Sequence, residues 1–224
     1  VARRSNDPVY TREIILKYGT EEFARLGFGG ARVDRIAERC SLSKNMLYYY
    51  FGSKEGLFIA VLEKMYQSLR DQQRDISVRA SDPLLALEQL IRHTFNALKE
   101  NPSAIPLMNE ENKHQGKYIR KSGRMRALYN PLVETVSLIL KKGCDEGVFR
   151  PGLDPVEVYL SLSSLCYHLL SNQYTLEIAL NRDLRSQKAQ KKWLDHVVET
   201  ISLYCVRDSA TILSKRQKSR SIAA

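Results

Sequence analysis

Apolar residues recur three and four positions apart along most of the chain, as in Leu57, Ala60, Val61, Met65 and Leu69, or Leu84, Leu87, Leu90, Ile91, Phe95 and Leu98. That period places them on one face of a helix, and alternating stretches are few, so the pattern predicts an all-α protein. The punctuation agrees. Gly27 stands where a helix running from about Asp7 to Leu26 needs a left-handed residue to stop it. Two short helices follow, Val33 to Cys40 and Lys44 to Phe51, separated by Ser41-Leu42-Ser43, and Gly52-Ser53 then opens a longer helix toward Val78. Asp82-Pro83 and Asn101-Pro102 each start another, because proline lacks the donor that the first helical position leaves unused. Beyond the polar segment 109–123, further helices are expected up to Lys142, from Asp154 to about Asn181, and from Gln187 to Leu213.

The segment 33–51 carries the most specific chemistry. Val33, Ile36, Cys40, Leu42, Leu47 and Phe51 can close one small core, with Ala37 small where a second helix passes close, which is the packing of a helix-turn-helix. Ser43 is a good N-cap, so the second helix projects Lys44, Asn45 and Met46 from its first turn and Tyr48 and Tyr49 one turn later. Those groups suit a DNA groove. Lysine reaches guanine acceptors or phosphates, asparagine pairs with adenine, methionine touches a thymine methyl, and tyrosine hydroxyls bond phosphates. Lys54, opening the next helix, adds a phosphate contact, and Arg32 can reach another.

At this point Thr11 to Leu62 resembles the N-terminal domain of the TetR family, above all in Val33-Asp-Arg-Ile-Ala-Glu-Arg39, Leu47-Tyr-Tyr-Tyr-Phe51 and Gly52-Ser-Lys-Glu-Gly-Leu-Phe58. The resemblance implies a homodimeric regulator, usually a repressor, released from a palindromic operator on double-stranded DNA when a small molecule enters each C-terminal domain. It also implies DNA contact by residues at the positions of Lys44, Asn45, Tyr48, Tyr49 and Lys54. The family tends to place glycine where Ser41 stands, so a left-handed turn here is made at a cost of about 1 kcal/mol. Tyr129 to Val133, Gly147 to Gly152 and Ser171 to Leu176 look, more loosely, like the pyrimidine-utilisation regulator branch. The domains are expected at 1–56, a DNA-binding head, and 57–224, for effector binding and dimerisation.

Charge and composition change the picture modestly. A formal net charge of +10 attracts polyanions, yet it is distributed among the head, the span 113–126 and the tail 215–220. The span 113–126 reads as a solvated basic face remote from the head, and Arg3 and Arg4 read equally well as a minor-groove arm or as a loose end. Four scattered cysteines without a C-x-x-C pair suit reduced thiols, with neither a disulfide nor a metal site expected. The chain lacks an apolar stretch long enough to cross a bilayer and a signal-like start, which points to a cytoplasmic protein. Gly27-Phe-Gly29-Gly30 is not a dinucleotide fingerprint, Gly52-Ser53-Lys54 lacks the rest of a P-loop, and neither H-E-x-x-H nor G-x-S-x-G occurs, so an enzyme is not expected and no cofactor is implied.

For an effector cavity the middle helices offer Met108, Asn112, Tyr129, Val133, Tyr167, His168, Ser171 and Asn172, a mixture of apolar and polar groups. His168 reads as a buried, hydrogen-bonded histidine. Two stripes, Tyr159, Ser163, Cys166, Leu170 and Trp193, Val197, Ile201, Tyr204, either dimerise as a four-helix bundle or pack within the monomer, and the resemblance favours the interface. The alternative function is a DNA-binding regulator whose C-terminal domain binds a protein instead of a small molecule.

Overall fold

The structure is a computed structural model that describes residues 7–71 and 82–208, apart from the side chains of 125, 126 and 128–131. Arg3, Arg4, the connecting segment beyond Asp71, the tail at 215–220 and the Tyr129 side chain lie outside the described residues. The described residues form nine α-helices: α1 (Pro8–Gly30), α2 (Val33–Cys40), α3 (Lys44–Phe51), α4 (Lys54–Asp71), α5 (Pro83–Glu100), α6 (Ala104–Lys113), α7 (Met125–Asp145), α8 (Pro155–Leu180) and α9 (Gln187–Cys205), with a 3-10 turn at Ile119–Lys121. No described helix is long and apolar enough to cross a membrane.

Two compact units emerge. A head unit combines the described parts of Val1–Ser68 with Asn101–Leu128, and a second unit combines those of Leu69–Glu100 and Tyr129–Ala224. The boundary expected at residue 56 therefore falls inside α4, and α6 with the 3-10 turn joins the head.

In the head, Asp7 starts α1 by accepting the Val9 N–H at 2.9 Å, and Pro8 fills the first turn. Ile15, Gly19 and Phe23 are buried along one face. Regular helix stops at Gly27, whose φ of 65° and ψ of 178° tip the chain into the short turn that leads to α2. Helix α2 buries Val33, Ile36, Ala37 and Cys40 and ends on Ser41 at φ 57°, the left-handed conformation in which a serine replaces the usual glycine. Ser43 then caps α3 by accepting the Met46 N–H at 3.3 Å. The corner into α4 depends on Gly56, where a Cβ would lie 2.1 Å from the Phe51 carbonyl oxygen. An aromatic cluster closes this unit: Phe58 lies 4.9 Å from Phe23, 5.4 Å from Phe28 and 5.0 Å from Tyr118, centroid to centroid.

In the second unit, α5, α8 and α9 pack on one another through Leu87, Leu90, Ile91, Leu162, Cys166, Val197 and Ile201. Helix α9 stops at Cys205, short of the expected Leu213, because the turn before α8 offers the chain other backbone partners. Val206 bridges Phe149, the Arg150 N–H donates to the Cys205 carbonyl at 2.9 Å, and the Arg207 N–H donates to that of Val148 at 3.0 Å. All four cysteines are free thiols. Burial pushes Cys40 up to about 11 and both Cys166 and Cys205 up to about 12, so these three are packing residues rather than nucleophiles.

Candidate nucleic-acid interface

Helix α3 has one buried residue, Leu47, and presents Lys44, Asn45, Met46, Tyr48 and Tyr49 to solvent. Tyr49 is 81% exposed, too far for a residue held by the protein's own packing. Lys44 Nζ pairs with Asp34 Oδ1 of α2 at 2.9 Å, and that hydrogen bond, with the carboxylate's charge, raises the ammonium above its ordinary pKa. Hence α2 supplies a carboxylate to the face that α3 uses, an arrangement the sequence reading did not include.

Arg32 is exposed at the start of α2 and has no side-chain cap of its own. Its N–H donates instead to Glu22 Oε1 at 3.2 Å. The Glu22 side chain is only 1% exposed and also pairs with Arg25 at 3.2 Å and Arg35 at 3.4 Å. A buried acid tied to three partners fixes where α2 begins relative to α1. Its signal in the sequence was an acidic residue on the same helical row as Ile15 and Gly19.

Lys54 opens α4, but its ammonium lies 4.8 Å over the Phe28 ring. Burial lowers its pKa against the raising field of Glu22.

A second node fastens α6 to the end of α1. Glu110 Oε1 accepts the Phe28 N–H at 2.8 Å and lies 3.1 Å from His114 Nε2, while Lys113 stands 3.7 Å from the other oxygen. Burial tends to raise this carboxyl, but the Phe28 N–H and His114 outweigh it and hold the group below its usual value. A Cβ on Gly27 would come within 2.9 Å of the Glu110 carboxyl, so the glycine serves both the turn and the approach. Sequence reading missed Glu110 because it sits in a polar segment without periodicity.

The candidate effector residues do not share one unit. Met108, half-buried, and Asn112, exposed, lie on α6 in the head; Val133, Tyr167, Ser171 and Asn172 are half-buried in the second unit. His168 is exposed, not buried, since it lies about 200° around α8 from the fully buried Cys166. Within the second unit an open cleft of about 910 Å³ is lined by residues that include Arg92, Arg182, Lys192, Trp193 and His196, and of the candidate residues only Trp193, taken for the interface, borders it. The two dimer stripes also need correction. Cys166, Leu170, Val197 and Ile201 are at most 5% exposed within a single chain, so they form its core and not a surface for a second copy. Tyr159, Ser163 and Trp193 are half-buried, and Tyr204 is exposed. The exposed apolar row of α8 is Val156, Leu160, Tyr174 and Ile178, joined on α9 by Leu203 and Tyr204. Among the described residues no group of three or more His, Cys, Asp or Glu is placed to hold a metal.

A short amphipathic helix, a left-handed turn and a second helix with an outward face of lysine, asparagine and tyrosine together make a helix-turn-helix DNA reader. Comparison with known proteins narrows the class. Residues 15–61 match the family of bacterial regulatory proteins, tetR family, and residues 83–201 match the tetracyclin repressor-like C-terminal domain. The chain is 36% identical over 187 residues to the HTH-type transcriptional repressor NicS of Pseudomonas putida, covering 84% of this chain and 88% of that one. It is 33% identical over 106 residues to the HTH-type transcriptional regulator RutR of Escherichia coli, covering 46% and 48%. In fold it is similar to a transcriptional regulator of Streptomyces coelicolor (TM-score 0.63, 26% identity, covering 88% and 99%) and to AibR in complex with isovaleryl coenzyme A and operator DNA (TM-score 0.64, 17% identity, covering 85% and 97%). The chain belongs to the TetR family of transcriptional regulators. It is a DNA-binding regulator and not an enzyme.

Proposed function

We propose that two copies of this chain repress transcription by reading a palindromic operator, and that a small molecule held in the C-terminal region releases them. The observation that carries the reading is the outward face of α3, where Lys44, Asn45, Tyr48 and Tyr49 stand together exposed to solvent. One helix-turn-helix covers one half-site, so two heads about 34–36 Å apart are needed for a two-fold operator. The exposed apolar row of α8, with the exposed Leu203 and Tyr204 of α9, supports pairing with a second copy, because burying exposed apolar side chains favours association. AibR, a structural relative, is described with an acyl coenzyme A and operator DNA, which favours a small-molecule effector over a protein one.

Release requires that the effector prefer one conformation, since equal affinity for two states shifts nothing. Helix α6 offers a route. It is entered from α5, carries Glu110, and through the Phe28 N–H grips the turn that sets the start of α2. A displaced α6 therefore pulls on the entry to the helix-turn-helix.

The test uses Lys44→Ala and Tyr48→Ala on a duplex selected by the wild-type protein. Each lowers affinity by roughly tenfold or more and leaves the unfolding temperature in place. Unchanged affinity in both variants removes α3 as the reading helix.

A further inference from the structure

The stretch from Lys113 to Arg124 holds Lys113, Lys117, Arg120, Lys121 and Arg124 and no acidic residue. By spacing it is a remote solvated face; in the fold it lies against the head. Tyr118 anchors it, 1% exposed, with its ring 4.6 Å from Phe28. Glu111 Oε1 fixes the anchor by accepting the Tyr118 and Ile119 N–H groups, each at 2.9 Å.

Around this anchor Lys121 reaches the start of α4, and the charge of Lys117 acts on the same place. Lys121 Nζ reaches Glu55 Oε1 at 2.5 Å, one residue from Lys54. Lys117 stands 5.3 Å over the Tyr118 ring, while Lys54 stands 4.8 Å over Phe28, so the two ammonium groups flank a pair of touching rings. Arg120 bonds the Gln115 carbonyl oxygen at 3.4 Å, leaving its charge exposed. Glu55 answers to this cluster: its carboxyl is lowered by the Lys121 bond first, against burial, and by the charges of Lys121 and Lys117.

We propose that Lys117, Arg120 and Lys121 grip the DNA backbone beyond the bases read by α3, so that each head holds its half-site at two places. This rests on α3 being the reading helix. Both basic surfaces belong to the same compact unit, and exposed cations beside a reading head meet the phosphates that flank the recognised bases. Phosphate contact carries no base preference, so the grip adds affinity and leaves sequence choice to α3. Glu55 occupies Lys121 in the free chain and yields it to a phosphate.

The experiment titrates the full chain, Lys117→Gln/Arg120→Gln, Lys44→Ala and Tyr48→Ala against a selected duplex and a random one over a range of salt concentrations. For the double variant the slope of log affinity against log salt falls by about 2, near 0.9 for each lost phosphate contact. Affinity falls by the same factor on both duplexes, and trimming the base pairs flanking the selected site removes the difference from wild type. Wild-type slope and affinity in the double variant overturn the grip, as does weakened binding at an unchanged slope, which would mark a structural effect. If Lys44→Ala and Tyr48→Ala both bind the selected duplex as wild type does, the reading of α3 fails and the grip falls with it.

Discussion

Helices α3 and α8 show how differently two regions of one chain expose their roles. In α3, eight residues long, one residue is buried and the rest, apart from Met46, are polar or aromatic, so exposure and candidate chemistry coincide. In α8, 26 residues long, apolar residues run in two rows: Val158, Leu162 and Cys166 buried, Val156 and Leu160 exposed. The rows lie two residues apart, about 200° around the helix. A short helix with one apolar face states which side is core; a long one with two states only that both sides want partners. The head therefore displays its chemistry, and the second unit hides which row serves the monomer.

This contrast breaks most sharply at the α3–α4 corner. Gly56→Ala forces a Cβ against the Phe51 carbonyl and destabilises the head by about 3 kcal/mol. Thermal unfolding then shows the head melting early while the second unit keeps its transition; one unaltered transition refutes the close approach. Next comes Ile178→Arg with Leu160→Arg on the exposed row. Sedimentation should show single chains with wild-type helicity, and affinity for a two-fold operator should fall by about a hundredfold as linked binding is lost. Retained pairing places the interface elsewhere.

Glu110→Ala, smaller in effect, removes a charged acceptor from the Phe28 N–H and costs about 2 kcal/mol. Because the Glu110 carboxyl is held below its usual range, its contribution is fully present above about pH 4.3 and fades as pH falls through the lowered native value. The difference in stability between wild type and variant should shrink on that acid limb; a constant difference dissociates the effect from the charge. The smallest change is a gain. Ser41→Gly relieves a left-handed serine and stabilises the head by about 1 kcal/mol in denaturant titration, with operator choice unchanged.

Much of the head was legible because its signals are local. The bounds of α2 and α3 follow from Ser41, Ser43 and Gly52, and the stop at Gly27 from the need for positive φ. Its electrostatics were not legible, because Glu110 finds Phe28 across 82 residues and Lys121 finds Glu55 across 66. Spacing cannot report such pairs. In the second unit the helices were foreseen and their faces were not. By spacing alone His168 reads as buried and Cys166 as interfacial, whereas His168 is exposed and Cys166 is core because of which row of α8 meets α5 and α9.

Selection of bound sites from random duplex DNA with the purified chain tests the central claim most directly. The account predicts enrichment of a palindrome whose half-sites lie about one helical turn or a multiple of it apart, bound by two chains, with a preference over random duplex that persists as salt rises. A single unpaired half-site bound by one chain, or no enrichment above the salt-sensitive background, would contradict it.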